Sequence, residues 1–260
     1  GLSSKAFWHN TRNAAERIRD RISFLQPERV DRIMQVILNG YKIPFTKRPP
    51  PFHRSSNGPD LALHRDAAWA ALSKDISHGA VVPCNIRDNG LPSVVSPVRT
   101  APKGWRTGKR RFVINMRYIN KFIEESESSC SLNTLSRIRG MFQQQCAGDG
   151  PAWGFTMDLA SGYHNFRVHD SQRDLMGIAI HAAELPTTAI SWLREDPSAR
   201  GCEDPETGLF YFSIVALPFG LGPSPGRDRA VIARHEHLGN VHPAEGPRPG
   251  ELRVVEQVTL

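Results

Sequence analysis

Several large protein classes are excluded by what this sequence holds little of. Cysteine is scarce: Cys84, Cys130, Cys146 and Cys202 are the 4 in 260 residues, and no two form a C-x-x-C pair. That spacing argues against a disulfide framework and against a zinc ribbon, and it fits a reducing compartment. No apolar run approaches the roughly 18 to 20 residues that a membrane span needs. The opening stretch GLSSKAFWHN lacks the apolar core of a secretory signal. The expectation is a soluble intracellular protein, cytoplasmic or nuclear, with no membrane partner. Internal repeats and long low-complexity tracts are absent as well. A hydrophobic content of 39% and a charged content of 23% exclude collagen, coiled-coil rods and a wholly disordered chain.

Positive charge is what the sequence has in excess. The net charge is +7, which suggests a polyanionic partner, nucleic acid first. Residues 1–65 carry 12 Lys and Arg against 5 Asp and Glu, so this stretch alone accounts for the whole excess. From Arg99 to Lys121 there are eight basic residues and no acid, interleaved with Trp105, Phe112 and Tyr118. On composition alone a solvated basic face explains that stretch as well as a binding surface does.

Along the chain, Val30, Ile33, Met34, Ile37 and Leu38 recur with helical spacing between Pro27 and Gly40, which predicts an amphipathic helix over Pro27–Leu38. Five prolines between Ile43 and Asp60 predict a linker or wrapping arm. Asp60 is expected to cap a helix running through Ser77, closed by Gly79. Beyond Gly79 the pattern turns to short β-prone runs: Ala80–Pro83, Val94–Arg99, Arg111–Arg117, Trp153–Leu159, His164–His169, Leu175–Ile180 and Leu209–Leu217. The fold class expected is α+β. The run RFVINMR after the basic turn KGWRTGKR predicts a hairpin whose loop and second strand present cations on one side. The last thirty-five residues show neither helical nor strand periodicity and predict an irregular tail.

Two segments bear on chemistry. Phe155-Thr156-Met157-Asp158-Leu159 is an apolar run ending in an acid, followed by Ala160-Ser161-Gly162-Tyr163. An acid so placed serves either as a helix cap or as a metal-binding carboxylate for phosphoryl transfer. Farther on, an apolar run leads into Ala216-Leu217-Pro218-Phe219-Gly220-Leu221.

Three blocks in this order resemble the reverse transcriptases of retroelements. Ser96-Pro97-Val98 through Lys103 to Lys109-Arg110-Arg111-Phe112-Val113-Ile114-Asn115 and on to Lys121 is similar to the fingers motif. Met157-Asp158-Leu159-Ala160-Ser161-Gly162-Tyr163-His164 is similar to palm motif A, and Ala216–Leu221 to motif B. Tyr41-Lys42-Ile43-Pro44-Phe45 and His78-Gly79-Ala80-Val81 look like the lead-in of Gypsy and DIRS retrotransposons. The resemblance covers roughly residues 66–225.

That resemblance implies an incomplete right-hand polymerase: a basic helical extension and Pro-rich linker at 1–65, fingers and partial palm at 66–225, and an irregular tail at 226–260. The implied activity is RNA-directed DNA synthesis by a two-metal mechanism, with Mg2+ or Mn2+ as cofactor. The implied partners are an RNA or DNA template-primer, deoxynucleoside triphosphates and the remaining palm, thumb and RNase H regions of a longer polyprotein. Asp158 would be the first metal-binding aspartate, with the Leu159 carbonyl as a further ligand. Ser161 and Gly162 would offer N–H groups to the triphosphate, and Tyr163 would be the steric gate against a 2′-hydroxyl. Lys103, Lys109 and Arg111 would neutralise phosphates, Phe219 and Gly220 would line the nucleotide pocket, and Arg99, Arg106 and Arg110 would grip nucleic acid.

The sequence departs from that family at one decisive place, since it contains no Asp-Asp dipeptide to complete a Tyr-x-Asp-Asp motif. A lone carboxylate cannot hold two ions about 3.5–4 Å apart. Little or no polymerase activity is therefore expected of this chain alone. The alternative reading is a non-catalytic nucleic-acid-binding module or a decayed element copy. A metal site at His235, His237 and His242 is a weaker reading.

Overall fold

The computed structural model describes residues 7–103, 110–124, 157–158, 162–218, 220–221 and 258–259. The chain divides into two units, one of residues 1–124 with 161–224 and the other of residues 125–160 with 225–260. The described residues of the first unit are mixed α+β structure.

In the first unit, short helices α1 (Phe7–Asn13) and α2 (Ala15–Arg21) precede α3 (Pro27–Asn39). Pro27 stands in the first turn of α3, where its missing N–H is no loss, and Gly40 follows at φ +89°. Val30, Met34 and Ile37 are buried with Ala15 in a small cluster of their own, against which Ile33 and Leu38 of the same helix also pack, together with Ile18, Ile22, Leu25 and Phe166. The expected amphipathic face is thus the face that packs.

The proline-rich arm that follows is held by side chains that imitate a sheet. Gln172, 7% exposed, accepts from the Ile43 N–H at 2.7 Å through Oε1 and donates from Nε2 to the Ile43 carbonyl at 2.9 Å. Both polar groups of a buried residue are so satisfied across 129 positions of sequence. The arm also contributes a strand of its own, β1 (His53–Arg54).

One helix was expected over 60–77; two are found, α4 (Asp60–Leu63) and α5 (Arg65–Ser77), separated at His64. Pro59 precedes the first turn and Asp60 makes no capping bond, because its carboxylate is engaged elsewhere. The closure by Gly79 is as expected. At φ +66° its N–H bonds the Ile76 carbonyl while the Ala80 N–H bonds that of Asp75, the paired closure that a left-handed glycine permits.

The main sheet is mixed. Its spatial order is β1, β3 (Val94–Val95), β7 (Gly177–His181), β9 (Leu209–Ile214) and β2 (Val81–Pro83), with β8 (Glu203–Asp204) sharing the β2 edge of β9. β1–β3–β7 run parallel, and β9 is antiparallel to β7, β2 and β8. Strand β9 reads LFYFSI and is buried nearly throughout, with Phe210 and Phe212 at 0% exposure, as a strand covered on both faces should be. The core continues through Leu61, Leu72, Ile76, Ile119, Leu175 and Ile178.

Three expected strands differ. Val94–Arg99 is two elements, β3 and β4 (Val98–Pro102), because Pro97 has no N–H to continue a ladder and Ser96 is the last residue bonded to β7. Arg111–Arg117 ends at Ile114 as β5 (Arg110–Ile114), and Arg117–Asn120 forms the single-turn helix α6. His164–His169 is not a strand: Gly162–Asn165 and Asp170–Leu175 are 3-10 turns, joined through single bridges at Arg167 and Val168. The stretch from 181 to 208 contains helix α7 (Thr187–Glu195), whose Ala189 and Leu193 enter the core, followed by β8.

In the second unit the described residues are two short strands, β6 (Met157–Asp158) and β10 (Val258–Thr259), paired in parallel with Thr259 opposite Asp158. Val258 and Thr259 lie in the stretch expected to be irregular. The His235, His237 and His242 reading lies outside the described residues.

Near the end of α5, burial raises the Asp75 carboxyl from 3.8 to about 6, against the lowering influence of His78 and Lys74. The folded chain holds this proton more tightly than the unfolded one. The group therefore favours folding at acidic pH, and that contribution is lost as pH rises through about 6. Asp75→Asn is expected to raise Tm at neutral pH and to leave it unchanged below pH 3.8, as a thermal-melt series across pH will read.

Candidate nucleic-acid interface

The basic stretch forms the hairpin its sequence implies. β4 and β5 pair antiparallel from Val98 opposite Ile114 to Pro102 opposite Arg110. Side chains along a strand alternate between faces, so two adjacent arginines in β5 cannot share one. Arg111 is exposed and falls on the same face as Arg99, which is also exposed and lies opposite Val113. Arg110 falls on the other face with Val98, Thr100 and Phe112. Of the cations expected on one side of the loop and second strand, Arg111 is exposed with Arg99 on its face, Arg110 is corrected to the other face, and Arg106 and Lys109 lie outside the described residues.

Arg110 has local work. Its Nε donates to Thr100 Oγ1 at 2.9 Å, and its guanidinium lies 3.9 Å from the Asp60 carboxylate. Asp60 Oδ2 accepts from the Thr100 N–H at 2.7 Å and from the Thr100 hydroxyl at 2.6 Å. The Thr100 hydroxyl bond, the Thr100 N–H and the Arg110 charge together hold the Asp60 carboxyl below its ordinary range, against a smaller opposing effect of burial. This three-residue clamp ties the first turn of α4 to the hairpin. Gly58 sits where the two meet, and a Cβ there would come within 2.7 Å of both the Arg99 Cβ and an Asp60 carboxylate oxygen.

A second polar clamp holds the other end. Asn57 accepts from the Val98 N–H at 3.0 Å and donates to the Ala179 carbonyl and to Glu184, at 2.9 and 2.8 Å. The hairpin is anchored at its base to the sheet while Arg99, Arg111 and Lys103 remain exposed. None of the clamp residues was legible as such in the sequence: Asp60 reads as a helix cap, and Asn57 and Thr100 carry no local signal for partners 40 or more positions away.

The stretch ending at Lys121 and the stretch Ala216–Leu221 meet. Asn120 Nδ2 donates to the Gly220 carbonyl at 2.8 Å, and Gly220 takes φ +82°. The Leu217 N–H bonds the Phe166 carbonyl, and the Val215 and Ala216 N–H groups both reach the Ala80 carbonyl. The approach to Gly220 is thereby set by backbone on either side.

Of the remaining candidate residues, Gly162 and Tyr163 lie in a 3-10 turn and are described through their backbone. Asp158 is likewise described through its backbone, in β6 of the second unit. Lys109, Arg106, Leu159, Ser161 and Phe219 lie outside the described residues. Among the described residues no three His, Cys, Asp or Glu side chains stand close enough to hold a metal ion. The sequence offers Asp158 without a paired Asp-Asp. No described helix is long and apolar enough to cross a membrane.

No family model and no curated protein sequence matches this chain. Among solved structures it is similar to the foamy viral protease-reverse transcriptase dRH in complex with double-stranded DNA, at 11% sequence identity and a TM-score of 0.39. The match covers 82% of this chain, which spans 31% of that one. A likeness of that strength carries no argument about activity.

Asp60 ionises more readily in the folded chain, so it contributes stability above pH 3.8 that is lost as pH falls through its lowered folded value. Asp60→Ala is expected to lower Tm at neutral pH, with the difference from the parent shrinking in acid. A pH series of melts on the two proteins checks this.

Proposed function

We propose that this chain is a reverse-transcriptase-like fingers and partial palm segment whose own function is to grip nucleic acid through the β4–β5 hairpin. The observation that carries the reading is the face bearing Arg99 and Arg111, exposed on an anchored hairpin inside a stretch of eight basic residues without an acid. Such a face binds a polyanion by neutralising phosphates and releasing counterions, without reading base sequence. The order of the three blocks and the Asn120 bond to Gly220 support the polymerase-like arrangement.

In this reading Arg99, Arg111, Lys103, Lys109 and Arg106 meet phosphate, and Arg110 sets the hairpin. Gly162, Ser161, Tyr163, Phe219 and Gly220 would form the deoxynucleotide side, with Tyr163 excluding a 2′-hydroxyl by its bulk. Asp158 and the Leu159 carbonyl would face Mg2+ or Mn2+. The single aspartate leaves the carboxylate set short of what in-line nucleotidyl transfer needs. The chain is thus read as a nucleic-acid-binding module of polymerase ancestry, and a template-primer is its partner.

Binding to an RNA–DNA template-primer, followed by anisotropy across a salt series, tests this. Log affinity should fall linearly with log salt concentration, and the double variant Arg99→Glu, Arg111→Glu should lower that slope by about 2, roughly one per phosphate contact. Affinity and slope unchanged in the variant would overturn the reading. In the same preparation, primer extension with Mg2+ or Mn2+ should stay at background; templated extension that Asp158→Asn abolishes would restore a catalytic assignment.

A further inference from the structure

Phe52 is the one described residue other than glycine with a positive φ, +64°, and it is also the most exposed large apolar side chain among those described, at 90%. A bulky L-residue seldom takes that conformation, and an aromatic ring left in water gains nothing from burial. Observed strain of this kind points to a role that the fold itself does not explain.

The surroundings say what the ring is for. It is not carried on a slack loop. Pro49 is buried on its N-terminal side, Pro50 and Pro51 lock φ at the next two positions, and Pro51–Phe52 form a turn. On its C-terminal side His53 is paired with Val94 in the sheet, and its imidazole stacks on the Tyr118 ring with centroids 3.4 Å apart and planes 4° from parallel. Tyr118 in turn meets Phe122 edge-on at 5.2 Å, and Lys47 lies 5.9 Å over the Phe122 ring. Arg54, the next residue, donates to the Tyr211 hydroxyl at 3.1 Å. Both flanks of Phe52 are therefore fixed while its own ring is free. Such a ring pays little conformational entropy on stacking. In sequence the arm is basic: from Arg32 to Pro59 there are five basic residues and no acid, although Arg48 is paired with Asp174.

We infer that Phe52 is a stacking platform for an unpaired base, and that the proline arm is a second contact of this chain with single-stranded nucleic acid. A rigid aromatic in a cationic stretch suits a strand whose bases are exposed, since every base offers a π-face whatever its sequence. A long duplex, with its bases stacked on each other, offers that ring a free π-face only at its two ends. The inference rests on the nucleic-acid reading above and adds to it the form of the strand and the residue that meets the base.

The test compares three labelled probes: a mixed-sequence single strand, the same strand with abasic sugars throughout, and the blunt duplex. Phe52→Ala is expected to weaken the single strand about tenfold while its salt slope stays that of the parent, because stacking releases no counterions. The same variant should bind the abasic strand and the duplex as the parent does. Phe52→Trp should retain affinity. Phe52→Gly relieves the positive φ and should lose affinity to the same extent while melting at a higher temperature, which separates binding from folding. Parent-like single-strand affinity in Phe52→Ala, with the Arg99→Glu, Arg111→Glu variant still weakened, would overturn this inference and leave the hairpin reading standing. A change of oligomeric state in Phe52→Ala with nucleic-acid affinity unaltered would overturn it in favour of a protein contact. Salt-independent or absent binding by the parent would remove both.

Discussion

Strand β9 is the element on which the first unit depends. It accepts β7 on one edge and both β2 and β8 on the other, so three segments separated in sequence are mutually positioned by one run of six residues. An uninterrupted apolar run looks alike on both faces, and side-chain alternation alone specifies its register poorly. The register is set by polar detail. The Tyr211 hydroxyl, on a side chain 2% exposed, must find a partner, and Arg54 supplies it. The backbone of Tyr211 is meanwhile bonded to Cys202 and to Cys84. These cysteines are free and buried, and burial raises the Cys202 thiol to about 12, so it packs as a small apolar group with little thiolate for reaction.

The second constraint is the two-residue period of the hairpin. A sequence of eight cations sums to a polyanion site in composition, but a strand must divide adjacent residues between its faces. Arg110 consequently serves the protein and Arg111 the solvent. The division lets one arginine hold the hairpin to α4 through Thr100 and Asp60 while its neighbour stays available. An ion pair as long as 3.9 Å adds little by itself; the short Thr100 bonds to Asp60 do the holding. Exposure and positioning are thus divided between chemically identical side chains one residue apart, distinguished only by which face they occupy.

Local periodicity carried much of the architecture. Helix α3, the β4–β5 hairpin and strands β2, β7 and β9 all answer to patterns visible within ten or so residues, as does the glycine that closes α5. The misreadings share one cause. Asp60 looks like a cap because Asp before a helical run generally is one, yet Thr100 competes for the same carboxylate from 40 positions away. His164–His169 has strand-like composition, but the partners available to it are single bridges rather than a ladder. Gln172 shows no sign in its neighbourhood of being the clasp for Ile43. In each case the deciding partner lies far away in sequence, beyond what local propensity encodes.

By itself the sequence determined the charge, the order of the three motif blocks, the α+β alternation and the lone aspartate, because these are properties of composition, spacing and local pattern. Tertiary structure alone decided which cations remain outside, which polar groups become clamps and where backbone strain is held. It turned Arg110 inward by strand alternation, joined Asn120 to Gly220 across a hundred positions, and left Phe52 exposed between two anchored flanks. Those outcomes depend on desolvation and on partners brought together by packing, and neither exists until the chain has folded.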